Sequence, residues 1–362
     1  MTIRILHVVE SLSCEAGSVG VCLRSMFPAL AQRGVESVVH AAAGNLDRSA
    51  VPDVMWLDTV ATTPAVREFD LVWLHGWGSP LALRLARLAR AAGRPYLIAP
   101  HGDLTPGPYK RDHWVRRIRR AMIENRLVRD AAALIGVNDR EADELRRLLP
   151  KSRVIQLPYG LDVQAYAPDA SPTAPPAEMP AGRFLLMLGP LEPVEGGVAL
   201  LKAAAELGKD VDGWNIVLAG PDRGTWRAML EAAVHRKGGQ GRVIFSSAHD
   251  LRSQRAWLQV ASAVVAPSLH IRVPVSIMQA AAAGRAIVAT DCVVPDELRE
   301  AVAVCRTNRA HLREALRSLV TIGDAERASM GERAREACRT LDWAALADRY
   351  GETYQSVIRR TP

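Results

Sequence analysis

The 362-residue sequence has no apolar run of the roughly 18–20 residues that a membrane-spanning helix requires, which excludes a helical integral membrane protein. Its start, MTIRILHVVESLS, holds one basic residue and passes straight into β-branched residues. The charged, apolar and small-residue order of a secretory leader is missing, so a cytoplasmic location is expected. Cysteine is scarce: Cys14, Cys22, Cys292, Cys305 and Cys338 are scattered, odd in number and never closely paired, which excludes a zinc or disulfide framework and suits reduced thiols. The patterns GxxxxGK(S/T), HExxH and GxSxG, a close carboxylate pair in a recognisable setting, and a repeat of solenoid period are all absent. No metal site or nucleotide-hydrolysing loop is therefore expected.

The composition, 49% hydrophobic and 23% charged, is that of a globular protein, and the length suits two domains, each with its own core. The net charge of +7 is uneven. Residues 1–166 hold 22 Lys and Arg against 17 Asp and Glu, and the remainder 24 against 22. Arginine supplies nearly all of the excess, so charge alone identifies no partner.

Along the chain, short β-branched runs alternate with helical periods of ten or more residues. IRILHVV, VCLRSMFPALAQRG and VESVVHAA form one βαβ unit, and LVWLHGW, PLALRLARLARAAG and PYLIAPHG continue it, with helices ending at Gly34 and Gly93 as glycine caps predict. PDASPTAPPAEMPAG has too few apolar anchors to form an element and reads as a linker over 168–182. RFLLMLG, NIVLAG, RVIFSS, AVVAPS and AIVATD then alternate with helices in a second parallel, doubly wound sheet. Open sheets of this kind bind ligands at the carboxyl ends of their strands.

In the loop SLSCEAGSVGVCLRSM, Gly17 and Gly20 precede a helix, where backbone N–H groups receive a phosphate or simply make a tight turn. That loop stands with LVWLHGWGSPLALRLARLARAAGRPYLIAPHG, GVNDREADELRRL, VIQLPYGLDVQAY, VVAPSLHIRVPVSIMQAAAAGRAIVATDCVVPDEL and LDWAALADRYGETYQSVI. In order and spacing, from near residue 3 to near 358, these segments resemble the retaining GT-B glycosyltransferases known as glycosyl transferases group 1. The resemblance implies an α/β fold of two Rossmann-like, doubly wound parallel-sheet domains facing a central cleft. Residues 1–167 would form the acceptor domain, joined by a returning helix at about 343–362, and 183–342 the nucleotide-sugar domain. It also implies a nucleotide-diphosphate sugar as substrate, no metal or other cofactor, and a glycan, lipid-linked or small-molecule acceptor.

Carried over residue by residue, the resemblance gives His101 and Gln279 as catalytic candidates. His101 stands where the family has a histidine near the sugar, and bonding to its own loop is the alternative for it. Donor-binding candidates are Gly17, Gly20, Gly189, Pro190, Glu195, Gly220, Ser268, Ile271, Arg272 and Gln279. His75 and Trp77 fall on the acceptor side.

The sequence departs from the family in the second half. Where the family has an arginine and a lysine that neutralise the departing diphosphate, LGPLEPVEGG has Pro190 and Glu195, one without charge and the other of the wrong sign. Where it has two glutamates separated by seven residues, the chain has Ile271 and Gln279. Gln279 still offers hydrogen bonds and Ile271 none, while Pro274 removes a backbone donor from the same loop. Arg272 adds a cation there, either a partial substitute or a solvated side chain.

YKRDHWVRRIRRAMIENRLVR puts Lys110, Trp114, Arg116, Arg117 and Arg120 into a basic amphipathic stretch on the acceptor side. It fits either an anionic membrane surface or a helix packed in its own domain. Interleaved aromatics are missing, so nucleic acid is not expected as a partner. Two functions follow: a retaining glycosyltransferase with an altered donor site, or a pseudo-glycosyltransferase that serves as a binding or scaffold partner of another protein.

Overall fold

The computed structural model describes residues 2–9, 18–41, 55–56, 62–104, 121, 126–170, 173–222, 224, 226–236, 242–248, 250–271 and 275–360. By its internal contacts the chain divides into two compact units. The first comprises Met1–Leu161, Ile271–Val273 and Asp342–Pro362, the second Asp162–His270 and Pro274–Leu341.

In the first unit the elements are β1 (Ile3–Val9), α1 (Ser18–Ala31), β2 (Val35–Ala41), β3 (Met55–Trp56), α2 (Thr63–Val66), β4 (Leu71–His75), α3 (Pro80–Ala91), β5 (Tyr96–Ala99), α4 (Arg126–Arg129), β6 (Ala133–Gly136), α5 (Asp139–Leu148) and β7 (Val154–Gln156). The strands form a parallel sheet in the order β3-β2-β1-β4-β5-β6-β7, reversing direction of growth at β1 and β4. Strands covered on both faces must be apolar throughout, and Leu71–Leu74 and Tyr96–Ala99 are buried along their whole length. Gly34 and Gly93 end α1 and α3 with φ of 73° and 67°, a left-handed geometry that glycine adopts without steric cost.

The second unit contains β8 (Arg183–Leu188), α6 (Gly197–Leu207), β9 (Trp214–Ala219), α7 (Trp226–Arg236), β10 (Val243–Ser246), α8 (Leu251–Val260), β11 (Ala263–Ala266), α9 (Val275–Ala282), β12 (Ile287–Thr290), β13 (Ala303–Cys305), α10 (Arg309–Thr321) and α11 (Asp324–Cys338). Its parallel sheet has the order β10-β9-β8-β11-β12-β13, the Rossmann arrangement with its switch between β8 and β11. Leu185, Leu218, Val265 and Val288 from neighbouring strands meet Leu200 of α6 and Leu316 of α10 in one core.

The unit boundary falls after Leu161, six residues before the Ala167 expected from the sequence. The physical reason is Tyr166, which lies buried in a 3-10 turn (Gln164–Tyr166) packed on α9. Residues 173–182 form neither helix nor strand. The last helix, α12 (Trp343–Arg360), belongs to the first unit. Trp343 Nε1 donates to Ser25 Oγ at 2.9 Å, Tyr350 Oη donates to the Pro158 carbonyl at 2.8 Å, and the rings of Tyr350 (tilted) and Tyr354 (edge-on) pack against Trp73. Among the described residues no helix is long and apolar enough to cross a membrane.

Candidate active site

At the carboxyl end of the first sheet three histidines and a tyrosine converge. His7 lies in β1, His75 ends β4, His101 follows β5 and Tyr159 follows β7. His7 Nδ1 is 3.0 Å from His75 Nε2, His75 Nδ1 is 2.7 Å from Tyr159 Oη, and Tyr159 Oη is 3.4 Å from His101 Nε2. Burial pushes His7 and His101 down to about 3, and His75 well below the usual histidine range with its histidine neighbours adding to the effect. Burial also raises Tyr159 well above the usual phenol range, so all four groups are neutral near pH 7.

His101 has φ of 51°, the one left-handed non-glycine among the described residues. Such a conformation costs about 1–3 kcal/mol and persists only where its surroundings enforce it, commonly at functional sites. Glu141, in the first turn of α5 behind the Asn138 cap, supplies the enforcement. Its carboxylate accepts from Gly102 N at 2.7 Å and Val137 N at 3.0 Å. On the other side of the turn, Asp103 Oδ2 accepts from Trp77 N at 3.1 Å.

Burial raises the Glu141 carboxyl from an ordinary 4.5 to about 7, against the two backbone N–H groups that lower it and with Asp103 nearby raising it further. A raised folded-state value means the native protein holds its proton longer than the unfolded chain. The contribution is therefore fully present below about pH 4.5 and lost as pH rises through about 7. At ~1.4 kcal/mol per pH unit, we expect wild-type stability to fall by about 3 kcal/mol more than that of Glu141→Gln across this window. Chemical denaturation of both proteins at pH 4.5, 6 and 8 reads the difference directly, and parallel profiles would contradict it.

His75 and Trp77, the acceptor-side candidates, are internal: His75 is spent in the histidine chain and Trp77 is buried in the first core. Gly20 is buried in the first turn of α1. Gly17, Arg272, Pro274 and the basic stretch with Lys110, Trp114, Arg116, Arg117 and Arg120 lie outside the described residues.

In the second unit the turns after β8, β9 and β11 meet. Gly189 N donates to the Ala219 carbonyl at 3.0 Å, and a Cβ on Gly220 would stand 1.9 Å from the Gly189 carbonyl oxygen, so only glycine fits there. Ser268 Oγ lies 3.1 Å from the Val194 carbonyl and 3.3 Å from that of His270. The turn from Gly189 to Gly196 carries Pro190, Glu192 and Glu195 and no cation. An acidic residue at the start of α6 suits the helix dipole and opposes an anionic ligand at the same place.

Gln279 is 1% exposed, and its Nε2 donates to Tyr166 Oη at 2.9 Å and Gln254 Oε1 at 3.1 Å. Both of its N–H groups are thus taken inside the unit, whereas the family resemblance implies a ligand contact for this side chain. Ile271 is buried at 4% exposure. Among the described residues no three His, Cys, Asp or Glu side chains converge in a metal-ligand arrangement.

Sequence reasoning missed His7, Tyr159 and Glu141. A polar residue within the apolar strand IRILHVV and a carboxylate three residues after a helix cap were the available signals, but the partners of both are distant in sequence.

Two Rossmann-like parallel-sheet domains in one chain define a protein of the GT-B class. Residues 17–160 match the glycosyl transferase 4-like domain and residues 182–321 the glycosyl transferases group 1 domain, and the chain belongs to this glycosyltransferase family. It is 23% identical over 301 residues to a GDP-mannose:cellobiosyl-diphosphopolyprenol alpha-mannosyltransferase of Xanthomonas oryzae pv. oryzae, covering 81% of this chain and 76% of that one. The sucrose-phosphate synthase of Thermosynechococcus elongatus has a similar fold, with a TM-score of 0.76 at 17% identity over 98% of this chain and 99% of that one. So does Anabaena HepE, solved in complex with UDP and glucose, with a TM-score of 0.74 at 16% identity over 98% of this chain and all of that one.

Proposed function

We propose that this protein transfers a hexosyl group from a nucleotide-diphosphate sugar, with retention at the anomeric carbon, to a glycan or lipid-linked acceptor at the cytoplasmic membrane surface. The observation that carries the reading is His101. It is held in a costly left-handed turn by Glu141 at the ligand-binding end of the first sheet, where a purely structural histidine has no need of strain. The family supports a sugar nucleotide as donor, and the complex of HepE with UDP and glucose and the mannosyltransferase relative are consistent with a nucleoside-diphosphate hexose.

The second reading, a pseudo-glycosyltransferase acting as a partner of another protein, draws on the second unit. Pro190 and Glu195 supply no cation for a diphosphate, and Gln279 spends its amide on Tyr166 and Gln254. Neutralising a leaving diphosphate is among the larger electrostatic terms in such a reaction. Weak donor binding is therefore expected in either case.

Calorimetric titration with GDP-mannose and UDP-glucose, followed by transfer of labelled sugar to diphosphopolyprenol-linked acceptors, separates the two. We expect dissociation constants weaker than about 100 μM, equivalent to less than ~5.5 kcal/mol, together with slow transfer. Binding without transfer or hydrolysis by any of these pairs would favour the second reading.

A further inference from the structure

The histidine chain fixes more than the position of His101. A neutral imidazole carries one N–H and a phenol one O–H, so His7, His75, Tyr159 and His101 bring four hydrogens to the three hydrogen bonds that link them. One hydrogen is left over. It can sit on a Tyr159 hydroxyl that accepts from both His75 and His101, which leaves a buried O–H with no further acceptor among the described residues, or at one of the two ends of the chain, His7 Nε2 or His101 Nδ1. Both atoms are buried and have no partner among the described residues.

The two ends are not equivalent. His7 is fully buried, with the Phe27 ring edge-on at 5.0 Å and the Trp73 ring at 5.7 Å, and a hydrogen on its Nε2 would be a donor sealed in an apolar core. Buried N–H groups without acceptors are rarer and costlier than bare lone pairs. His101 Nδ1 is buried as well, but the residue as a whole is half-buried and its turn lies where ligands reach an open parallel sheet.

We infer that Tyr159, itself oriented by the His7–His75 pair, is a positioning residue that locks His101 with its hydrogen on Nδ1, so that His101 offers a ligand an N–H donor for an oxygen acceptor. In this arrangement His7 Nδ1–H donates to His75 Nε2, His75 Nδ1–H donates to Tyr159 Oη, and Tyr159 Oη–H donates to His101 Nε2. His101 then serves a hydroxyl or phosphoryl oxygen and takes no proton at Nδ1. The low values of the three histidines agree with a chain in which none is cationic. The inference rests on the proposed function only in taking His101 to face the ligand; the direction of the chain stands on the geometry alone.

The test uses the full chain labelled with 15N-histidine and long-range proton–nitrogen NMR, which distinguishes protonated from bare ring nitrogens. His101→Asn assigns the His101 signals. We expect wild-type His101 to be protonated on Nδ1. Tyr159→Phe and His75→Leu should convert it to a mixture of both tautomers, and His75→Asn, whose amide N–H takes the place of Nδ1–H, should restore most of the original form.

A wild-type His101 protonated on Nε2 overturns the inference. So does a Tyr159→Phe protein with an otherwise native amide spectrum and an unchanged His101. Should Tyr159→Phe fail to fold, the wild-type tautomer and the contrast between His75→Asn and His75→Leu decide. UDP-glucose is then added to the wild-type protein, and a shift of the His101 signals is expected. The stated tautomer with no shift at saturating UDP-glucose would leave the chain standing and count against His101 as a ligand group, which is the failure of the functional reading.

Discussion

Replacing Gly196 by alanine is expected to destabilise the second unit by about 2–6 kcal/mol, the sum of ~1–3 for a left-handed non-glycine backbone and ~1–3 for overpacking. Gly196 has φ of 81°, and a Cβ there would lie 1.9 Å from the Pro267 carbonyl oxygen and 2.7 Å from its carbon. Both contacts are backbone, so no side-chain rotation relieves them. The turn cannot withdraw freely either, because Leu269 N donates to the Val194 carbonyl at 2.7 Å and Ser268 Oγ bonds the same oxygen.

Gly213→Ala provides the control. Its φ of 80° is nearly the same, but no atom lies within 4 Å of the added Cβ, so it carries the backbone cost alone. Thermal unfolding should show Gly196→Ala lower by roughly 5–20 °C, at about 2–4 °C per kcal/mol for a unit of this size, and Gly213→Ala by a few degrees. Equal shifts would mean that the two turns part easily and that the contact with Pro267 constrains nothing.

How much of this was readable beforehand depended on how local each feature is. The strands were readable because burial on both faces demands continuous β-branched runs such as LVWL and RFLLML, and the glycines at 34 and 93 because a helix end requires them within one or two residues. His101 was readable as part of PHG. Its supports were not, since Glu141 is 39 residues from Gly102, and Tyr159 is 84 from His75 and 58 from His101. No short-range pattern encodes a chain of neutral groups assembled from the ends of four strands. Gln279 makes the same point in reverse. Its match to the position of a family glutamate implied a ligand contact, while its partner Tyr166, 113 residues earlier, decides that the amide is used internally.

That use of Gln279 changes where donor binding is best restored. Gln279→Glu would set a carboxylate against Tyr166 and Gln254 at 1% exposure, and Ile271→Glu would bury a charge at 4%, so both are expected to lose stability before they gain affinity. The turn between β8 and α6 is the better place. Pro190 and Glu195 are half-buried, and the combined change Pro190→Arg and Glu195→Lys replaces a turn holding two carboxylates and no cation with one holding two cations and the single carboxylate of Glu192.

At about 1.5–3 kcal/mol for each charge-assisted hydrogen bond, GDP-mannose or UDP-glucose should bind roughly a hundredfold to ten-thousandfold more tightly. The gain should be largest at low ionic strength and shrink as salt is raised, because exposed charges are screened within about 8–10 Å at physiological salt. Titration of the double variant at 20 and 300 mM salt tests both statements. A tighter, salt-sensitive complex would establish that the second unit still presents a diphosphate site lacking only its cations. Unchanged weak binding in a folded variant would mean that the turn no longer approaches a diphosphate, and the pseudo-glycosyltransferase reading would then be the stronger.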